Sequence, residues 1–276
     1  MAARASLELA APLRAAFDAL PLNVPLQKSL QAKRNAMEAA LVAYRAAADY
    51  GVAEVATAAT FATAELYRKL AVDLLASERP RNLSEEEQEQ YALLLEEQAY
   101  PFEEEAIELH EANAERAAAG LYDDGVRASF AALADLKPAR YRKTERLHDG
   151  AAHPEITAGL AALAAGRWVE AEAAFMQAGP GPAAWTAIGV ARRNQGRMAE
   201  AQEAYEGAAM LDPEDPLPAL NLGVLLDLYL GRPGAALAQY ERHQQLSGGP
   251  DVQVAAWITE VRLRAGHEEQ SAEVVP

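Results

Sequence analysis

The side chains able to do chemistry are few in this sequence and stand apart from one another. His110 beside Glu111 comes nearest to the start of a metal site, but no second histidine follows at i+3 or i+4 to complete a ligand pair on one helix face. The five histidines, His110, His148, His153, His243 and His267, are scattered, which predicts surface or packing roles. There is no cysteine, which excludes disulfides, thiolate metal ligands and thiol nucleophiles. No glycine-rich phosphate loop follows a strand, and no serine sits in a nucleophile elbow. Paired glutamates are abundant, but on a helix they read as a solvated face rather than as an acid–base pair. No catalytic residue, metal or cofactor is expected, and the chain reads as a non-enzyme.

One basic cluster stands out, from Lys137 to Arg146. Arg140, Tyr141, Arg142 and Lys143 form a candidate patch for an anion or an acidic partner, with Tyr141 suited to a stacked or cation–π contact. The competing and favoured expectation is pairing with a glutamate-rich helix of the same chain.

The elements that must position these groups are helices. Half of the residues are apolar (51%), but only 7% are aromatic, and alanine, the strongest helix former, supplies much of the rest. Valine and isoleucine never alternate with polar residues over a strand length, so the chain reads as all-α. The apolar spacing predicts long helices over about 6–20, 26–50 and 52–76, the last two joined at Gly51 and therefore antiparallel. Ser84 and Glu87 form a capping box opening a glutamate-rich helix to about 119, which Pro101 is expected to kink or divide. A fifth helix runs from about 123 to 136, and Gly150 marks a soft boundary. The net charge of −16 argues against a nucleic-acid partner, and no stretch reaches the roughly 18 apolar residues of a membrane span. Met1-Ala2-Ala3-Arg4 has no signal-peptide pattern, and the abrupt entry into helix at Ser6 fits either a cytoplasmic chain or an internal fragment of a larger one.

The second half repeats itself. Aligned on Gly166, Gly196 and Gly231, an alanine follows five residues on (Ala171, Ala201, Ala236) and an aromatic nine residues on (Phe175, Tyr205, Tyr240). A further glycine precedes the first two by seven residues and the third by eight (Gly159, Gly189, Gly223), so the last unit carries one extra residue. This resembles the tetratricopeptide repeat family, in which small residues let two antiparallel helices approach, the aromatic plugs the gap, and a proline ends the second helix. About three repeats are expected over 151–266, closed by a capping helix containing Trp257, with a degenerate further repeat over about 106–140. The domains then read as long helices over 1–83, an acidic helical region over 84–150, the repeat array over 151–266 and a tail over 267–276.

The family resemblance implies that the first helix of each repeat lines a groove for a peptide. The groove residues would be Ile156, Leu160 and Leu163, then Thr186, Val190, Arg193 and Asn194, then Leu220, Asn221, Val224 and Asp227. Most are apolar, which disfavours a charged clamp and predicts an amphipathic helix or apolar segment as occupant, unless the N-terminal helices already fill the groove. Residues 85–146, from Glu96-Glu97-Gln98-Ala99-Tyr100-Pro101 to Pro138-Ala139-Arg140-Tyr141, look like a region of bacterial envelope-associated repeat proteins that accompany TonB/ExbB-like or gliding-type motors. Together these resemblances imply a protein–protein scaffold, and the second of them a periplasmic fragment of an envelope complex. The alternatives are a module that self-associates through Trp257, or a helical enzyme with its site in the first half.

Overall fold

The computed structural model describes residues 2–148 and 154–273, with side chains in the second stretch described for 155–266. Every regular element among them is helical. The chain divides into two compact units, residues 1–114 with 123–136, and residues 115–122 with 137–276. No described helix is long and apolar enough to cross a membrane. Gly150 and residues 274–276 lie outside the described residues, as do the side chains of the expected tail.

The first unit is built on α1 (Ala2–Asp18), α2 (Leu26–Ala48), α3 (Ala53–Leu75), α4 (Glu85–Glu115) and α5 (Asp124–Leu136). Phe17, Met37, Ala40, Tyr44, Leu66, Leu70 and Leu74 form one core, so the period read from the sequence does mark the buried faces. Lys33 is buried with them. Its ammonium donates to the carbonyls of Phe17 and Leu20 (3.1 and 2.7 Å), lies 2.8 Å from Asp73, and sits over the Phe17 ring. It thereby serves as the C-terminal cap of α1, whose own last turn carries no basic residue.

The capping box opens α4 as expected. Glu87 accepts from the Ser84 amide at 2.8 Å, and the Glu87 amide donates to the Ser84 hydroxyl at 3.3 Å. Pro101, however, does not divide the helix, which runs unbroken from Glu85 to Glu115. A mid-helix proline removes one donor and orphans the carbonyl four residues earlier. Here that residue is Glu97, which is exposed as Pro101 is, so water can take the place of the lost amide.

The second unit is a run of helix pairs. These are α7 (Pro154–Ala164) with α8 (Trp168–Gln177), α9 (Pro182–Asn194) with α10 (Met198–Leu211), and α11 (Pro216–Val224) with α12 (Pro233–Leu246), followed by α13 (Val252–Glu273). Each packs on the next in order, as in a solenoid. The repeated glycine and aromatic positions fit into each other. A Cβ at Gly159, Gly189 or Gly223 would stand 2.3, 2.2 or 2.6 Å from the ring of Phe175, Tyr205 or Tyr240, so only glycine lets the paired helices close around the ring. Ala171, Ala201 and Ala236 are fully buried beside them. The first helix of each pair ends on a glycine with positive φ, at Gly166, Gly196 and Gly231.

The extra residue of the last unit appears as a π turn over Leu225–Tyr229, continuing α11. There the Leu230 amide donates to the Leu225 carbonyl, five residues back, at 3.0 Å. In the first two pairs the amide after the glycine reaches five residues back (Arg167 to Ala162, Arg197 to Arg192); in the third it reaches six (Arg232 to Leu226). One widened turn absorbs the insertion, leaves the glycine and aromatic register intact, and carries Asp227.

Candidate functional site

A short helix, α6 (Pro138–Tyr141), leads into residues 143–148, which have no helical hydrogen bonding. This extended strap lies along the face made by α9, α11 and α13. Successive side chains of an extended chain point to opposite sides. Accordingly Lys143 and Glu145 turn inward and Arg142 and Thr144 are exposed; Arg146, next to Glu145, breaks the alternation and reaches sideways to Asp251 and Trp257.

Three inward groups each meet a complementary site. The Lys143 ammonium, fully buried, contacts Asp227 and Glu260 at 2.5 Å. Arg264 pairs with the same two carboxylates, making a closed set of two cations and two anions, and the Tyr240 hydroxyl donates to Asp227 at 3.4 Å. The Glu145 carboxylate, also buried, accepts from Arg193 Nε at 3.0 Å and from the Tyr205 hydroxyl. The Arg193 guanidinium lies 5.0 Å from the Tyr229 ring centroid, and Tyr229 packs edge-on against Tyr122. Arg146 pairs with Asp251, donates to Gln253 at 2.8 Å and lies over the Trp257 ring. Between these sites Asn221 grips the strap's main chain. Its Oδ1 accepts from the Arg146 amide and its Nδ2 donates to the Arg146 carbonyl, both at 2.8 Å.

The electrostatics follow from this packing. Burial would pull the Arg193 guanidinium down, but the Glu145 charge outweighs it and holds Arg193 well above its ordinary value. Burial, then the Glu145 charge, raises the Tyr205 phenol, and burial with Asp227 does the same to Tyr240, so both hydroxyls stay donors at any physiological pH. Burial pushes Asp251 up, yet the hydrogen bonds from Arg146 and the Val254 amide bring it to about 2. Glu260 is likewise lowered, burial being outweighed by Arg264 and Lys143, as is Glu172 of α8 by Arg192, Gln195 and Arg197.

These are carboxylates with depressed values, so their contribution is present in full above the unfolded value and lost as pH falls through the folded one. All three tryptophans, Trp168, Trp185 and Trp257, belong to the second unit, so their fluorescence reports on it alone. Its urea midpoint is expected to hold between about pH 5 and pH 8 and to drop steeply between about pH 4 and pH 2. A midpoint that is flat down to pH 2 would contradict this account of the ion pairs.

The predicted site residues are placed unevenly by the structure. Arg193, Asn221 and Asp227 meet at the strap. Leu220 and Val224 are buried in the helix packing, and Val190 is 8% exposed. The Thr186 hydroxyl turns back to donate to the Pro182 carbonyl of its own helix, and the Asn194 amide donates to the Val190 carbonyl. Ile156, Leu160 and Leu163 lie one pair earlier, the first two half-buried and Leu163 buried. The groove is therefore not an open apolar channel. Residues 143–148 lie on it, held by ion pairs and by hydrogen bonds. Lys143 and Arg146 of the basic cluster pair with Asp227, Glu260 and Asp251. Arg140 and Tyr141 do stack, at 4.8 Å, while Arg142 is exposed. Trp257, expected to mediate self-association, is 6% exposed and covered by Tyr240 and Arg146. Glu260, Arg264, Asp251 and Tyr229 were not legible as site residues. The one signal pointing their way was the extra residue before Gly231, which marks Asp227.

The first unit holds a second polar constellation. His110 Nδ1 lies 3.2 Å from the Ser129 hydroxyl and Nε2 lies 3.2 Å from Glu65, the order of a nucleophile relay. His110's hydrogen bond pulls Glu65 down against its burial. Asn113 bridges Ser129 to the Thr57 carbonyl, and the Thr57 hydroxyl donates to Asp123 at 2.6 Å. Yet His110, Asn113 and Ser129 have no exposed surface, so this conformation gives a substrate no path to the hydroxyl. The network joins α3, α4 and α5, and His110 takes the packing role its isolation in sequence predicts.

No family model matches this chain, and no curated protein matches it. Among solved structures it is similar to Assembly Chaperone of RpL4 (Acl4), residues 1–338, at 19% identity over 87% of this chain and 95% of that one, with a TM-score of 0.29. So loose a superposition says nothing about which molecules this chain holds.

Proposed function

We propose that this chain is a non-catalytic protein-binding scaffold whose second unit is a tetratricopeptide-type array holding an extended protein segment. The observation that carries the reading is Asn221. One side-chain amide satisfies both main-chain groups of a single residue in an extended segment, a grip that reads a peptide backbone whatever its side chains. Complementary side-chain sites on either side of it supply selectivity. A place in a bacterial envelope complex belongs to this reading only through the sequence likeness of residues 85–146.

The test is photo-crosslinking in cells. A photoreactive residue in place of Thr144, on the exposed side of the strap, is expected to form adducts with a partner protein. The same residue in place of Met210, exposed on α10, is expected to give none. Adducts at 210 but not at 144 would place the working surface elsewhere and sink the proposal. Val190→Glu with Val224→Glu would not serve as a test, because both side chains are buried and the change would unfold the array.

A further inference from the structure

The face of α9, α11 and α13 cannot stand empty without cost. Removing the strap would leave Arg193 without Glu145, and would leave Asp227 and Glu260 with Arg264 as the sole cation. A buried charge stripped of its partner is strongly destabilising, so an occupant leaves readily only when another brings the same charges. The strap is suited to such an exchange. Its sole aliphatic residue, Leu147, is half-buried, and its other anchors are ion pairs and hydrogen bonds that a second segment can reproduce one for one.

Resting on the scaffold reading, we infer that residues 143–148 are an in-chain occupant of a receptor for extended segments carrying a cation, a carboxylate two residues on, and a second cation next to it. The partner is thus a protein segment of the pattern Lys-x-Glu-Arg, and it binds by displacing the strap. Asp227 and Glu260 take the first cation, Arg193 and Tyr205 the carboxylate, and Asp251, Gln253 and the Trp257 ring the second cation. Asn221 takes the main chain of that last residue. An amphipathic helix, whose interior main-chain groups are already paired, would present no free amide and carbonyl of one residue to Asn221.

The probe is a labelled peptide of the strap's own sequence, Arg-Tyr-Arg-Lys-Thr-Glu-Arg-Leu-His, titrated into the full chain by fluorescence anisotropy. Loosening the strap with Lys143→Ala, Glu145→Ala and Arg146→Ala together should raise affinity about tenfold or more over the unaltered chain, because the competing occupant is weakened. If that variant fails to fold, Arg146→Ala alone, which leaves every groove carboxylate in place, carries the same comparison. A peptide with lysine in place of its glutamate should lose about tenfold, since it sets a cation against Arg193 in place of the carboxylate. Folded variants that bind the peptide no better than the unaltered chain would overturn the inference. So would a dimer formed by strap exchange between two copies, which would assign the face to a second molecule of this chain. Adducts at position 144 with a partner that the peptide does not displace would leave the scaffold reading standing and remove this one.

Discussion

Asp227→Ala is expected to destabilise the second unit by about 3–5 kcal/mol, because it strands two buried cations on one carboxylate. Lys143 has no exposed side-chain surface and Arg264 little, and both rely on Asp227 and Glu260 for counter-charge. The cost comes from the imbalance rather than from the lost bond. Removing Lys143 and Asp227 together, as Lys143→Met with Asp227→Leu, leaves Arg264 paired with Glu260 and should cost less than Asp227→Ala alone. Urea unfolding followed by tryptophan fluorescence measures this directly. A double variant as damaged as the single one would show that Asp227 acts through shape and not through charge.

The second large effect runs against an ordinary rule. Glycine inside a helix is usually improved by alanine, by about 0.5–1 kcal/mol. At Gly234, where a Cβ would meet nothing within 4 Å, Gly234→Ala should follow that rule, with a smaller gain because it lies in the first turn of α12. At Gly189 the sign reverses. The new Cβ would stand 2.2 Å from a ring carbon of Tyr205, a fully buried side chain with nowhere to move. Gly189→Ala is therefore expected to cost about 3 kcal/mol, at the upper end for overpacking. In a Tyr205→Leu background, where the obstructing ring is gone, the same change should cost about 1 kcal/mol or less. Equal costs in the two backgrounds would mean that the glycine is required by something other than the ring.

That pairing explains what could be read in advance. The glycine and aromatic positions recur at fixed intervals because each helix pair solves the same local packing problem, and local problems leave periodic marks. The buried stripes of α2 and α3 were legible for the same reason. The strap was not. Lys143 reaches Glu260 across 117 positions and Arg146 reaches Asn221 across 75, and a segment with no helical period gives no sign of the face it will lie on. Its composition was visible as a basic cluster, but composition names a charge and not its partner. The apolar positions assigned to the groove have a packing reason of their own. Leu220 and Val224 are apolar because they pack between helices, and the few polar positions among them, Arg193, Asn221 and Asp227, carry the contacts.

The strap is tied covalently to the unit it occupies, through α6, and this sets a threshold for anything that competes with it. A tethered segment acts on its site at an effective concentration on the order of millimolar, far above the abundance of most free proteins. A rival of equal intrinsic affinity, present at micromolar levels, would hold only about a thousandth of the sites. Weak encounters with passing Lys-x-Glu-Arg segments are thereby filtered out. Only a partner that adds a second contact elsewhere, or arrives in many copies on one assembly, crosses the threshold.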